Sequence, residues 1–158
     1  MKEPAFDELL RRLVAADAKF VVVGGLAVGA WGVVRGTKDV DLVIALEAEN
    51  LRRIAEVAVA AGGHVQQGAA LLGTPISIAS ALARGEQVAI ETDFGRLDIV
   101  QGLDGVPSYA DLRSRATEAE ILGVPVAVCS IDDLKAMKRA AGRTRDLADL
   151  EDLEAGND

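Results

Sequence analysis

Two carboxylates two residues apart, Asp39 and Asp41, carry the chemistry that this chain displays most openly. They lie in Arg35-Gly36-Thr37-Lys38-Asp39-Val40-Asp41-Leu42-Val43-Ile44, and a β-strand turns alternate side chains to one face, so both point the same way. Val40, Leu42 and Ile44 then form the opposite, apolar face. Two carboxylates roughly 4 Å apart repel by about 4 kcal/mol at an effective dielectric of about 20, a large share of the ~5–15 kcal/mol that holds a domain together. A divalent cation relieves that repulsion, and hard oxygen ligands select Mg²⁺, Ca²⁺ or Mn²⁺ over zinc or copper. Asp-x-Asp also occurs on exposed strand edges, where the charge only keeps the edge soluble. Two further features favour a site. Leu97-Asp98-Ile99-Val100 sets one carboxylate among apolar neighbours, as an adjacent strand would present a third ligand. Phe20-Val21-Val22-Val23 runs into Gly24-Gly25 and a small-residue helix, a strand-to-helix turn where phosphate oxygens can approach backbone N–H groups.

The elements that must position these groups follow from periodicity. Phe6, Leu9, Leu10, Leu13 and Val14 predict a helix within residues 5–18, followed by a strand from Phe20, a helix from the Gly24-Gly25 turn to about Val34, and the Asp39 strand. Leu51, Ile54, Ala55 and Ala58 repeat at helical spacing until Gly62-Gly63 stops them. Residues 64–85 carry little pattern beyond a short helix from Pro75 through Ala83. Val88–Thr92 and Arg96–Val100 flank Asp93-Phe94-Gly95 as a hairpin, and Glu118–Leu122 with Pro125–Val128 form a second that turns at Gly123. Two helices close the chain. The first opens on Ser130-Ile131-Asp132-Asp133, which reads as a capping box, and the residues from 154 to 158 read as a frayed end. Lys138 falls inside the apolar stripe of Ile131, Leu134, Met137 and Ala141, whereas Lys135 and Arg139 lie further round. Beyond Gly142, Asp146 projects beside Leu150 and Leu153. Each needs a partner, through a structural ion pair of Asp146 with Lys138 or Arg143, or through a direct catalytic role.

Bulk properties narrow the function classes. The 158 residues are half apolar and suffice for one domain with its own core, without a second. A formal charge of −8 excludes nonspecific coating of nucleic acid, which needs a broad basic surface. The longest apolar run, Phe20 to Val34, is interrupted by four glycines and is shorter than the ~20 residues that span a bilayer. A lone Cys129 and an N-terminus without an apolar leader point to the cytoplasm. Aromatic residues are too few for a base-stacking platform, leaving Trp31, Phe94 and Tyr109 as isolated candidates.

Gly24-Gly25, then Asp39-Val40-Asp41, then Asp98 in an apolar strand resemble the core of the nucleotidyltransferase superfamily that includes DNA polymerase β. Val23-Gly24-Gly25-Leu26-Ala27, the Arg35–Leu42 block and Lys138 with Arg143-Thr144-Arg145-Asp146-Leu147-Ala148-Asp149-Leu150 are similar to AbiEii-like nucleotidyltransferase toxins of bacterial toxin–antitoxin and abortive-infection systems. The resemblance implies an α/β (α+β) minimal nucleotidyltransferase fold, a mixed β-sheet flanked by helices with two C-terminal helices. It also implies Mg²⁺- or Mn²⁺-dependent transfer of a nucleoside monophosphate from a nucleoside triphosphate to a hydroxyl on an RNA 3′ end such as tRNA, a protein or a small molecule. Asp39, Asp41 and Asp98 would be the catalytic, two-metal ligands. Gly24, Gly25 and Thr37 would support the triphosphate, and Lys138 and Arg145 would neutralise charge on nucleotide or acceptor. A cognate antitoxin is the implied partner. The alternatives are an inactive binding or regulatory subunit and, less favoured, an antibiotic-modifying enzyme. A dinucleotide-binding unit fits less well, because the glycine spacing is wrong and Asp98 is left idle. Asp93-Phe94-Gly95 only mimics a kinase motif, and His64 lacks the Cys or His partners of a metal ligand.

Overall fold

A computed structural model describes residues 4–33 and 36–156. The helix α1 (Phe6–Ala15) leads to β1 (Phe20–Val23), α2 (Gly24–Ala30), β2 (Asp39–Ile44) and α3 (Ala48–Ala60). Then follow β3 (Val65–Gln67), β4 (Ala70–Leu72), α4 (Pro75–Ala83), β5 (Val88–Thr92) and β6 (Gly95–Ile99). The chain continues through α5 (Tyr109–Arg115), β7 (Thr117–Ile121), β8 (Val124–Val128), α6 (Ile131–Ala141) and α7 (Thr144–Gly156). Six strands form one mixed sheet in the order β5-β6-β2-β1-β8-β7, with β3 and β4 as a separate pair. The seven helices among the described residues flank it. This is the expected α/β arrangement with two closing helices.

The strands at the centre of the sheet bury an apolar face under helices, while the other face of β2 and β6 carries Asp39, Asp41, Arg96 and Asp98. Val21, Val22, Val40, Leu42, Leu97 and Ile99 are fully buried, and Leu9, Leu10 and Leu13 of α1 and Ile54 and Ala58 of α3 close over them. β2 is antiparallel to β1 but parallel to β6, with Val23 opposite Asp41 and Asp41 opposite Asp98. That register brings the Asp-x-Asp strand and the third carboxylate side by side. Trp31, just beyond α2, donates its indole N–H to the Cys129 carbonyl at 3.0 Å and ties α2 to the end of β8.

Several expectations are corrected. The helix after Gly24-Gly25 ends at Ala30, short of Val34; Val34 and Arg35 lie outside the described residues, as do 157 and 158 of the expected frayed end. Helix α7 runs from Thr144 to Gly156. Residues 65–72 form the β3–β4 hairpin, too short to show an alternating pattern, and α5 is a seven-residue helix of which only Leu112 is buried. Only half of the capping box at Ser130 exists: its hydroxyl accepts the Asp133 N–H, but the Asp133 carboxylate is drawn away by Arg115 at 2.8 Å. The reciprocal box occurs instead at Thr74 and Ser77, opening α4. The hairpin at Gly123 turns on two residues, Leu122 and Gly123, both with positive φ, which matches the twist of its strands. His64 bridges Glu91 through backbone hydrogen bonds in both directions.

Candidate active site

Residues 39 and 41 of β2 and 96 and 98 of β6 share one face of the sheet, since side chains alternate. One carboxylate oxygen from each of Asp39, Asp41 and Asp98 lies within 4.8 Å of the other two. A helix cannot cover three clustered acids with apolar atoms, and the space above them is a cavity of about 770 Å³. Val100, Leu103, Val106, Leu134 and Met137 give it an apolar wall, and Lys38, Arg96, Lys138, Arg143 and Arg145 are its cations. The donor set suits a hard divalent ion, because three carboxylate oxygens at this spacing are what Mg²⁺ or Mn²⁺ accepts. The backbone is shaped around it. Gly24 has φ +65°, and a Cβ there would overlap the Asp41 carboxylate, so only glycine leaves that carboxylate its position.

The electrostatics record the crowding. Burial, then the neighbouring charges of Asp98 and Asp39, push the Asp41 carboxyl up from the ordinary 3.8 to about 6, against an opposing pull from Lys138 and Arg145. Asp98 is also raised, chiefly by burial, while Arg96 and a 3.4 Å hydrogen bond from the Gln87 amide work the other way.

The remaining sequence candidates divide into three groups. Gly24, Gly25 and Thr37 line the cavity beside the acids, although the Thr37 hydroxyl donates to the Asp39 carbonyl at 3.0 Å and so helps to fix the strand entrance. Lys138 is buried and ion-paired, with its Nζ 3.1 Å from Asp146 and 3.0 Å from Asp149. Arg143 adds a third contact, Nε to Asp146 Oδ2 at 2.6 Å. Burial works to raise the Asp146 carboxyl, but the hydrogen bonds from Arg143 and Lys138 outweigh it and hold the carboxyl below its usual range. Both ion pairs considered for Asp146 therefore form, and Lys138 reaches the cavity wall as part of a buried cluster. Arg145, by contrast, lines the cavity without an ion pair to any described side chain. None of Trp31, Phe94 and Tyr109 lines it.

Five cavity residues carry no candidate role in the sequence pattern: Gln87, Arg96, Leu103, Asp104 and Val106. Arg96 carries a usable signal, since it stands two positions before Asp98 in the same strand and must share its face. Gln87 immediately precedes β5, and Leu103, Asp104 and Val106 come from the loop after β6. Nothing in their local pattern marks them.

Three carboxylates thus stand beside a glycine-lined strand-to-helix turn, and comparison with known proteins supplies the family and the fold. The chain belongs to the family described as nucleotidyl transferase of unknown function (DUF2204), whose model matches residues 3–158. No match to a curated protein was found. Among solved structures, the antibiotic-resistance factor ANT(2'')-Ia in solution is similar with a TM-score of 0.62 and 16% identity over 96% of this chain and 86% of that one. A putative nucleotidyltransferase from Thermotoga maritima, TM1012, gives 0.58 and 16% over 95% and 90%. ANT(2")-Ia in complex with adenylyl-2"-tobramycin gives 0.52 and 14% over 95% of each chain. At these identities the likeness is one of fold.

Proposed function

We propose that this protein transfers a nucleoside monophosphate from a nucleoside triphosphate to a hydroxyl acceptor, with Mg²⁺ or Mn²⁺ held by Asp39, Asp41 and Asp98. The observation that carries the reading is the convergence of three carboxylate oxygens within 4.8 Å at the floor of an open cavity. Two such ions, when bound, stabilise charge on the attacking and leaving oxygens of an in-line displacement at the α-phosphate. The chain's own groups do the rest. Gly24 and Gly25 leave room for the triphosphate beside Asp41, and Arg145 and Lys138 offset its charge. The buried Lys138–Asp146–Asp149 cluster fixes α6 against α7 and so sets the position of the cavity wall. The apolar wall of Leu103, Val106, Leu134 and Met137 excludes water from one side of the site.

The biological setting we favour is that of a toxin in an AbiEii-like toxin–antitoxin or phage-defence system, acting in the cytoplasm on tRNA or a protein. The sequence blocks around Gly24, Asp41 and Asp146 support this reading. Among the described residues, no helix is long and apolar enough to cross a membrane. A second reading is favoured by the similarity to a structure that holds adenylyl-2"-tobramycin: transfer to an antibiotic hydroxyl. The deciding experiment incubates the protein with each α-labelled nucleoside triphosphate, Mg²⁺ or Mn²⁺, and in turn total tRNA, cell protein and an aminoglycoside. Label on RNA or protein, with growth arrest on induced expression that Asp41→Asn abolishes, supports the toxin. Label on the aminoglycoside alone supports the second reading, and no label with any acceptor refutes transfer.

A further inference from the structure

Arg96 stands where a cation has the most to do. It pairs with Asp39 across the β2–β6 ladder and precedes Asp98 on its own strand, so its side chain rises between two of the three acids. Its Nε lies 3.9 Å from Asp39 Oδ1 and its terminal nitrogen 3.8 Å from Asp98 Oδ2. Both separations are too long for a hydrogen bond. No guanidinium N–H of Arg96 is hydrogen-bonded to a described residue, and the side chain is 43% exposed. Glu91, its cross-strand neighbour on β5, is exposed and makes no ion pair with it among the described residues. The guanidinium therefore screens the acids without being fastened to them. Lys138 and Arg143, in contrast, are held on Asp146 at hydrogen-bond distance.

We infer that Arg96 is a resident counter-cation of the Asp39–Asp41–Asp98 cluster that competes with divalent metal, and that it donates to a phosphate of the nucleotide once metal is bound. The inference rests on the nucleotidyl-transfer reading and extends it. A divalent ion on the acids would draw their charge to itself and repel the guanidinium beside it. The planar fork of Arg96 then has five donors without a carboxylate to screen, a few ångströms from the metal site, and a phosphate oxygen is the acceptor that such a fork matches. One residue thus has opposite effects on two ligands. It weakens the binding of metal alone and strengthens the binding of nucleotide to the metal-loaded protein.

The test compares wild type with Arg96→Gln and Arg96→Lys by calorimetric titration, first with Mn²⁺ alone, then with α,β-methylene ATP and GTP at saturating Mn²⁺. Circular dichroism confirms that each variant is folded. Arg96→Gln should bind Mn²⁺ about fivefold more tightly, the upper range for a partly exposed ion pair. It should bind the nucleotide analogue at least about tenfold more weakly, as for a lost charge-assisted hydrogen bond. Arg96→Lys should fall between. Unchanged or weaker Mn²⁺ binding by Arg96→Gln overturns the inference, and so does tighter Mn²⁺ binding with unchanged nucleotide affinity. If wild type itself binds neither Mn²⁺ nor an analogue, the transfer reading falls and takes this inference with it.

Discussion

Replacing Asp41 by Asn in metal-free protein should stabilise the fold, and by an amount that depends on pH. Burial, with the charges of Asp98 and Asp39, raises the Asp41 carboxyl from 3.8 to about 6. Between those values the folded state holds a proton that the unfolded chain has released, so stability falls as pH rises through the window and levels off above it. At about 1.4 kcal/mol per pH unit, the ionised group costs about 3 kcal/mol at pH 8 and nothing at pH 3. The amide of Asn keeps the shape and removes the charge. In chelator at pH 8, Asp41→Asn should therefore gain up to about 3 kcal/mol, or roughly 6–12 °C in Tm for a domain of this size. The gain should hold between pH 8 and about pH 6, then shrink as pH falls further and disappear near pH 4. Thermal melts and urea titrations of both proteins across pH 4–8 measure it. A variant that is less stable than wild type at pH 8, or a difference that ignores pH, would refute the argument and make Asp41 a structural acid whose negative charge the fold requires.

Three further outcomes are expected. Millimolar Mg²⁺ or Mn²⁺ should raise the Tm of wild type, and a nucleoside triphosphate should raise it further, whereas Asp41→Asn should respond weakly; differential scanning fluorimetry reads all of these. Lys138→Ala should cost about 3–5 kcal/mol, because it strands the buried Asp146 and Asp149. Lys135→Ala should stay within about 0.5 kcal/mol in denaturant titration, and Lys138 and Asp146 should couple by more than that in a double-mutant cycle. Gly24→Ala should lose at least about 2 kcal/mol and blunt the metal response, since it combines a left-handed backbone with overlap onto Asp41. Gly29→Ala, in the same helix with open space around it, should instead gain up to about 1 kcal/mol.

Much of the acid cluster was legible because it rests on the shortest rule of strand geometry. Alternation alone puts Asp39 and Asp41 on one face and Val40, Leu42 and Ile44 on the other, and those three are buried as that requires. Asp98 was recognisable as a polar interruption of an apolar run. What placed it opposite Asp41 is the parallel pairing of β2 with β6, a contact between distant segments that no local pattern encodes. Lys138 and Asp146 were marked by their conflict with the apolar stripes around them, and they turn out to meet. Asp149, the second partner of Lys138, is one turn further along α7 and carried no comparable conflict. Arg96 is within reach of the same alternation rule, but its place at the start of a hairpin strand gives no local sign that a carboxylate of β2 lies opposite it. The β3–β4 hairpin and α5 escaped because three-residue strands and a seven-residue helix are too short to establish a period. Gln87, Leu103 and Asp104 enter the site through loop geometry and sheet order, which emerge only in three dimensions.

The hydrogen bond from Trp31 to the Cys129 carbonyl joins the chain's only tryptophan to its only cysteine, and this equips the molecule to report its own openings. The Cys129 thiol is fully buried, and burial, with the charge of Asp133, pushes it up to about 12, so it stays neutral and shielded in the folded state. An alkylating reagent can meet it only when the end of β8 is exposed, and the labelling rate then measures the free energy of that opening. Trp31 sits only partly buried beyond the short α2 and senses a different event, the undocking of the turn that shapes the Asp41 side of the cavity. If nucleotide slows the fluorescence response of Trp31 to quencher while Cys129 labelling is unaffected, the glycine turn moves independently of the sheet. If both slow together, the turn and the central strands open as one cooperative unit.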